Sequence, residues 1–111
     1  MEDASLPYPD EPTAVLALSA SGEIDIVTTD ELRFALASAA VSGAAEVWLD
    51  LTGVEFMDST GMTAVVNAPS VLAARRFALI CPQGPVRRVL EIAGVDRAIA
   101  IHDTRADAHA A

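Results

Sequence analysis

Apolar and polar positions change rhythm several times along the chain, and each change marks a predicted element. Ala14-Val15-Leu16-Ala17-Leu18-Ser19 is an apolar run of strand length, and Ser21-Gly22 is a turn signal after it. Glu23-Ile24-Asp25-Ile26 alternates at period two, which places both carboxylates outward. Leu32, Ala35, Leu36 and Ala39 then share one helical face. Thr28 and Glu31 have the spacing of a capping box ahead of it, and Gly43 suits a left-handed stop. The β-branched and aromatic run Glu46-Val47-Trp48-Leu49-Asp50-Leu51 reads as a buried strand. Met62, Val65 and Val66 open a second helical face, with Ser59 as its N-cap and Gly61 in the first turn. The ring of Pro69 crowds the carbonyl of Val65 and predicts a kink or break near Asn67, and Arg75-Arg76 close the helical segment. Phe77 to Cys81 is a strand. Pro85 takes the first position of a helix that turns Val86, Val89, Leu90 and Ala93 inward and stops at Gly94. Ala98 to Ile101 is a last short strand, and Asp103 to Ala111 is one terminal helix or a frayed tail.

Strands alternating with helices argue for an α/β layer architecture. A chain of 111 residues with no internal repeat and no long linker is one domain. Residues 1–13 form a lead with Pro7, Pro9 and Pro12 beside Glu2, Asp3, Asp10 and Glu11. It holds either a short edge strand near Ser5 to Tyr8 or none, because proline fits a sheet only at edges and bulges. The domain proper spans 14–103, and 104–111 is a tail or helix end.

Composition narrows the function classes. Apolar residues make up 52% of the chain and aromatic ones only 5%, so the core is built largely from Ala, Val, Leu and Ile. A formal charge of −9 gives a field of the wrong sign for DNA, RNA or an anionic membrane surface. The apolar stretches stop well short of the roughly 20 residues of a membrane span, and no secretory signal pattern opens the chain. The single cysteine, Cys81, reads as a buried thiol at a strand end. A cytoplasmic location is expected.

The stretch Val54-Glu55-Phe56-Met57-Asp58-Ser59-Thr60-Gly61-Met62 carries the candidate chemistry: a carboxylate and two hydroxyls at the mouth of a helix. A catalytic serine needs a base within reach. The histidines, His102 and His109, fall near the C-terminus outside any triad pattern; His102 reads as an exposed turn residue, and the Gly-x-Ser-x-Gly elbow is missing. One cysteine and two distant histidines do not make a metal site, and neither nucleotide-binding glycine pattern occurs. The sequence therefore predicts no enzyme, no cofactor and no metal.

Three of these segments also carry a resemblance. Phe56-Met57-Asp58-Ser59-Thr60-Gly61-Met62 resembles the signature of the STAS family of anti-sigma factor antagonists, in which Asp-Ser-Ser/Thr-Gly holds a regulatory phosphoserine. Gly22-Glu23-Ile24-Asp25 is similar to that family's Gly-Glu-Leu-Asp turn, and Pro85 to Val95 to its last main helix. The resemblance implies a mixed sheet of four to five strands packed with helices. It implies a protein that binds an anti-sigma factor serine kinase when unphosphorylated, is released on phosphorylation of Ser59, and is reset by a serine phosphatase. Asp25, Glu23, Met57, Asp58, Thr60, Gly61 and Met62 would border the partner. Asp58 would orient the acceptor or simply close the turn, and Met57 and Met62 also suit a core. A second reading keeps the fold and makes the chain a scaffold or transporter-associated docking domain in which Ser59 is only a helix cap.

Overall fold

Four strands and five helices alternate along residues 15–73 and 75–111, the part of the chain that the computed structural model describes. In order they are β1 (Val15–Ile24), α1 (Thr29–Ala40), β2 (Glu46–Met57), α2 (Ser59–Leu72), β3 (Arg76–Ile80), α3 (Pro85–Ile92), α4 (Val95–Ala98), β4 (Ala100–His102) and α5 (Arg105–Ala110). The sheet follows chain order, β1-β2-β3-β4, and each neighbouring pair is parallel. The strand expected near Ser5 to Tyr8 lies outside the described residues, and with it any antiparallel addition to this sheet.

Parallel neighbours joined by crossovers of one hand, each stepping the same way, put their helices on one face. The main core shows that layer. Leu32 and Leu36 of α1, Val65 and Leu72 of α2 and Leu90 of α3 pack with Leu16, Leu49 and Leu79 of the sheet. The opposite face carries a smaller cluster of Trp48, Ala78 and Ile80 under Ala108 of α5. There the rings of Trp48 and His109 meet edge to face, 4.7 Å apart at 75°. Arg105 pins α5 to the sheet through Asp50 (2.7 Å) and Ser19 (2.9 Å).

β2 outruns the strand expected over Glu46 to Leu51, and the reason lies in its pairing with β1. Between Ser19↔Asp50 and Ser21↔Gly53, and again between Gly22↔Val54 and Glu23↔Phe56, β2 advances one residue more than β1. One such bulge would turn every later side chain to the wrong face, and a second restores the facing. The inward side chains of β2 are accordingly Val47, Leu49 and Leu51, then Val54 and Met57. Asp50 supports the first bulge by accepting from the amide of Thr52 (2.9 Å). Ser21-Gly22 is thus no turn: Gly22, at φ +75°, lies within β1 beside these bulges.

Other expectations need correction. Thr28 makes no capping box, since its backbone is already helical (φ −93°, ψ −14°) and its hydroxyl serves the preceding loop. Pro69 does not end α2, which continues to Leu72 because Ala68 and Leu72 are fully buried on either side while the ring faces out. Arg75 and Arg76 close no helix; Arg76 begins β3. On α3 only Val86 and Leu90 are buried, and Val89 and Ala93 face solvent. His102 ends β4 half-buried, its carbonyl accepting from the Cys81 amide (2.8 Å). Cys81 is buried as expected, and burial pushes its thiol up despite the nearby Arg87 guanidinium.

Replacing Pro69 by Ala gives the Val65 carbonyl an amide to accept from, partly offset by the looser unfolded chain. Pro69→Ala should raise stability by about 1–2 kcal/mol in urea unfolding.

Candidate functional site

Parallel strands present their carboxyl ends together, which is where open α/β sheets place their sites. β1 ends at Ile24 and β2 at Met57, paired in register, and the chain leaves each toward a helix. Only Asp58 separates β2 from α2, whereas Asp25 to Thr28 lead from β1 into α1.

Asp58 has the extended backbone of an N-cap, φ −92° and ψ −173°. Its Oδ1 accepts from the Thr60 amide (2.9 Å), the Gly61 amide (3.2 Å) and the Thr60 hydroxyl (2.6 Å). These bonds, the Thr60 hydroxyl foremost, hold the carboxyl below its ordinary value against partial desolvation, with the Ile26 amide contributing. Ser59 is therefore not the cap that its residue type predicts. It takes the first helical position, exposed, and its hydroxyl makes no hydrogen bond among the described residues.

The second hydroxyl is committed. Thr60 Oγ1 donates to Asp58 and lies 3.2 Å from Oγ1 of Thr29, which donates to the Asp25 carbonyl at 2.6 Å. Each hydroxyl has one proton. With both shorter bonds made, the contact between the two threonines carries none; it marks close packing of the two helix starts. The seat of α2 on the strand ends needs Gly61, since a Cβ there would stand 2.6 Å from Cγ2 of Ile24 and 2.9 Å from Cγ of Met57.

The loop beside this turn is equally tied. Asp25 Oδ1 accepts from the amides of Val27 (2.9 Å) and Thr28 (3.1 Å), the Asp25 amide donates to Thr28 Oγ1 (2.9 Å), and Thr28 Oγ1 donates to the Glu23 carbonyl (2.8 Å). The Asp58 amide donates to the Ile24 carbonyl (3.0 Å), joining the two connections.

Of the residues expected at the site, Ser59 and Glu23 are exposed, Asp25, Asp58, Thr60 and Met62 are half-buried, and Met57 and Gly61 are buried. The strand ends and helix starts bring all of them to one end of the sheet. Met57 belongs to the core and Met62 packs against it, so both support the turn from below. The sequence reading missed Thr29, whose partner Thr60 is 31 positions away, and the outward turn of Ile26 and Val27. The imidazoles lie elsewhere, His102 on β4 and His109 against Trp48. Among the described residues no group of three or more His, Cys, Asp or Glu is placed to hold a metal, and no helix is long and apolar enough to cross a membrane.

Comparison with known proteins bears on this geometry. The family model of the STAS domain matches residues 8–108. An anti-sigma-F factor antagonist, RsfB of Mycobacterium tuberculosis, is 26% identical over 95 residues, covering 85% of this chain and 78% of that protein. The crystal structure of an anti-sigma factor antagonist from Mycobacterium paratuberculosis superposes with a TM-score of 0.82 at 28% identity, covering 87% of this chain and 84% of the other. SpoIIAA in its unphosphorylated form shares the fold at a TM-score of 0.64, with 22% identity and 86% of each chain covered.

Two outcomes test the turn. Gly61→Ala should lose about 1–3 kcal/mol of stability in urea unfolding, because the branched Ile24 side chain cannot swing clear. Asp58 has a folded-state pKa below its ordinary 3.8, so its ionised form stabilises the fold above that value and the contribution is lost as pH falls through the lower, folded-state pKa. Asp58→Ala should therefore unfold at lower urea than wild type at pH 7, and the gap should close in acid below pH 3.8.

Proposed function

The chain belongs to the STAS-domain family, and from that premise we propose that it is a cytoplasmic anti-sigma factor antagonist switched by phosphorylation of Ser59. Unmodified, it binds an anti-sigma factor that is also a serine kinase; phosphorylated, it lets go, and a serine phosphatase resets it. One observation carries this reading: Ser59 is exposed at the first position of α2 and its hydroxyl makes no hydrogen bond among the described residues, while Asp58 does the capping. The names of the relatives point the same way.

In the transfer, Ser59 Oγ bonds to the γ-phosphorus of ATP on the kinase, and the bond from that phosphorus to the bridging oxygen breaks, leaving ADP in the kinase's nucleotide site. The hydroxyl proton passes to a base on the kinase. The product carries about −1.5 to −2 charges. A helix N-terminus favours such an anion by about 0.3–1 kcal/mol, and repulsion from the adjacent Asp58 carboxylate in water opposes it. These effects offset each other, so the scaffold keeps its shape and the consequence falls on docking. The new dianion faces the nucleotide diphosphate left on the kinase. Mismatched charge across an interface costs several kcal/mol, and about 1.4 kcal/mol is tenfold, so affinity falls by about a hundredfold or more.

The geometry also favours Ser59 over Thr60 as acceptor, because Thr60 would have to release Asp58 before reacting. The scaffold or transporter-docking reading had assigned the cap to Ser59, and with the cap on Asp58 that assignment has no geometric support.

Incubation with an anti-sigma factor serine kinase and ATP, followed by intact mass, should show one phosphate increment. Ser59→Ala should abolish it while preserving binding, and Thr60→Val should retain it. Ser59→Asp should fold normally and fail to bind in calorimetry; binding at wild-type strength would contradict the mechanism.

A further inference from the structure

Thr29 is the one polar side chain fully buried among the described residues, at 0% exposure. Valine would fill the same space with no hydroxyl to satisfy, so the buried oxygen calls for a use. Its use is positional: it donates a second bond to the Asp25 carbonyl, which also accepts from the Thr29 amide (2.8 Å), and packs against Thr60, while the Asp58 amide holds the Ile24 carbonyl. The loop from Asp25 to Thr28 is thereby fixed beside the acceptor turn.

What this stitched loop displays is apolar. Ile26 and Val27 stand 74% and 78% exposed at its tip, on a backbone held by the Asp25 carboxylate. Their surroundings are acidic: Glu23, Asp25, Asp30 and Glu31 lie within a few residues, and the nearest base in the chain, Arg33, is paired to Asp30 at 3.1 Å. Across residues 1–74 Arg33 is the only arginine, and there is no lysine. Such a field rejects nucleic acid and anionic lipid and attracts cationic protein surface.

We infer that Ile26 and Val27 are the apolar anchor of the docking surface beside Ser59, and that their partner is a protein with an apolar cleft rimmed by Arg or Lys. Thr29 is the positioning residue that holds anchor and acceptor in one rigid piece. The partner's identity rests on the antagonist reading, since it is the protein that meets Ser59. The cationic rim meets the acidic skirt, and the nucleotide phosphates meet the hydroxyl, so the two charge patterns do not conflict.

Calorimetry of the full chain with the anti-sigma factor kinase that modifies Ser59 tests this. Ile26→Ser combined with Val27→Ser should weaken binding by about tenfold or more. Phe34→Ser, equally exposed on α1 at 75%, should change it by less than about twofold. Wild-type affinity should fall as salt rises from about 0.05 to about 0.5 M. A loop double variant that binds like wild type overturns the anchor, and affinity indifferent to salt overturns the cationic rim. A wild-type chain that binds no such kinase removes the antagonist reading and this surface with it. Independently of any partner, Thr29→Val should speed hydrogen exchange at the Val27 and Thr28 amides severalfold while leaving the urea midpoint close to wild type; unchanged exchange overturns the role given to Thr29.

Discussion

One carboxylate oxygen, Asp58 Oδ1, meets the opening amides of α2, and because it does so the adjacent serine is relieved of capping them. A helix start leaves several amides without partners, and some acceptor must serve them. Had Ser59 been that acceptor, its oxygen would be turned back against the backbone and engaged. With the duty shifted one residue earlier, the hydroxyl at the helix mouth makes no hydrogen bond among the described residues, and the same carboxylate takes up the neighbouring Thr60. One residue's displacement of a cap separates a structural serine from one open to chemistry.

That cap works only because the ends of β1 and β2 arrive side by side. The two additional residues in β2 let twelve positions of one strand run beside ten of the other, and bring Ile24 opposite Met57. Those two side chains form the floor on which Gly61 rests, with no room for a Cβ. The irregular strand, the missing side chain at 61 and the exposed hydroxyl at 59 are thus steps of one arrangement.

Much of this was legible in the residues. Alternating strand and helix patterns gave the α/β layering, Pro85 and Gly94 bounded α3 as their chemistry requires, and the motif around Ser59 marks the turn that joins β2 to α2. The bulges were written too, in inward positions spaced by two and then by three from Val47 to Met57, but a strict period of two ends that strand at Leu51. Extending the same period past Ile24 turned Ile26 inward, although the strand stops before it. Asp58 and Ser59 are both favoured caps, so local preference cannot choose between them; the choice is made by how far β2 runs. Thr29 had no local signature, because the group it packs against belongs to another helix.

The two faces of the sheet also differ in what they report. The chain has a single tryptophan, and it lies under α5, on the sheet face opposite the helix that Ser59 begins. Its emission follows the seating of the C-terminal helix, whose His109 touches the indole edge. Tryptophan fluorescence is consequently a gauge of that layer, and events at the Ser59 end call for a reporter placed there.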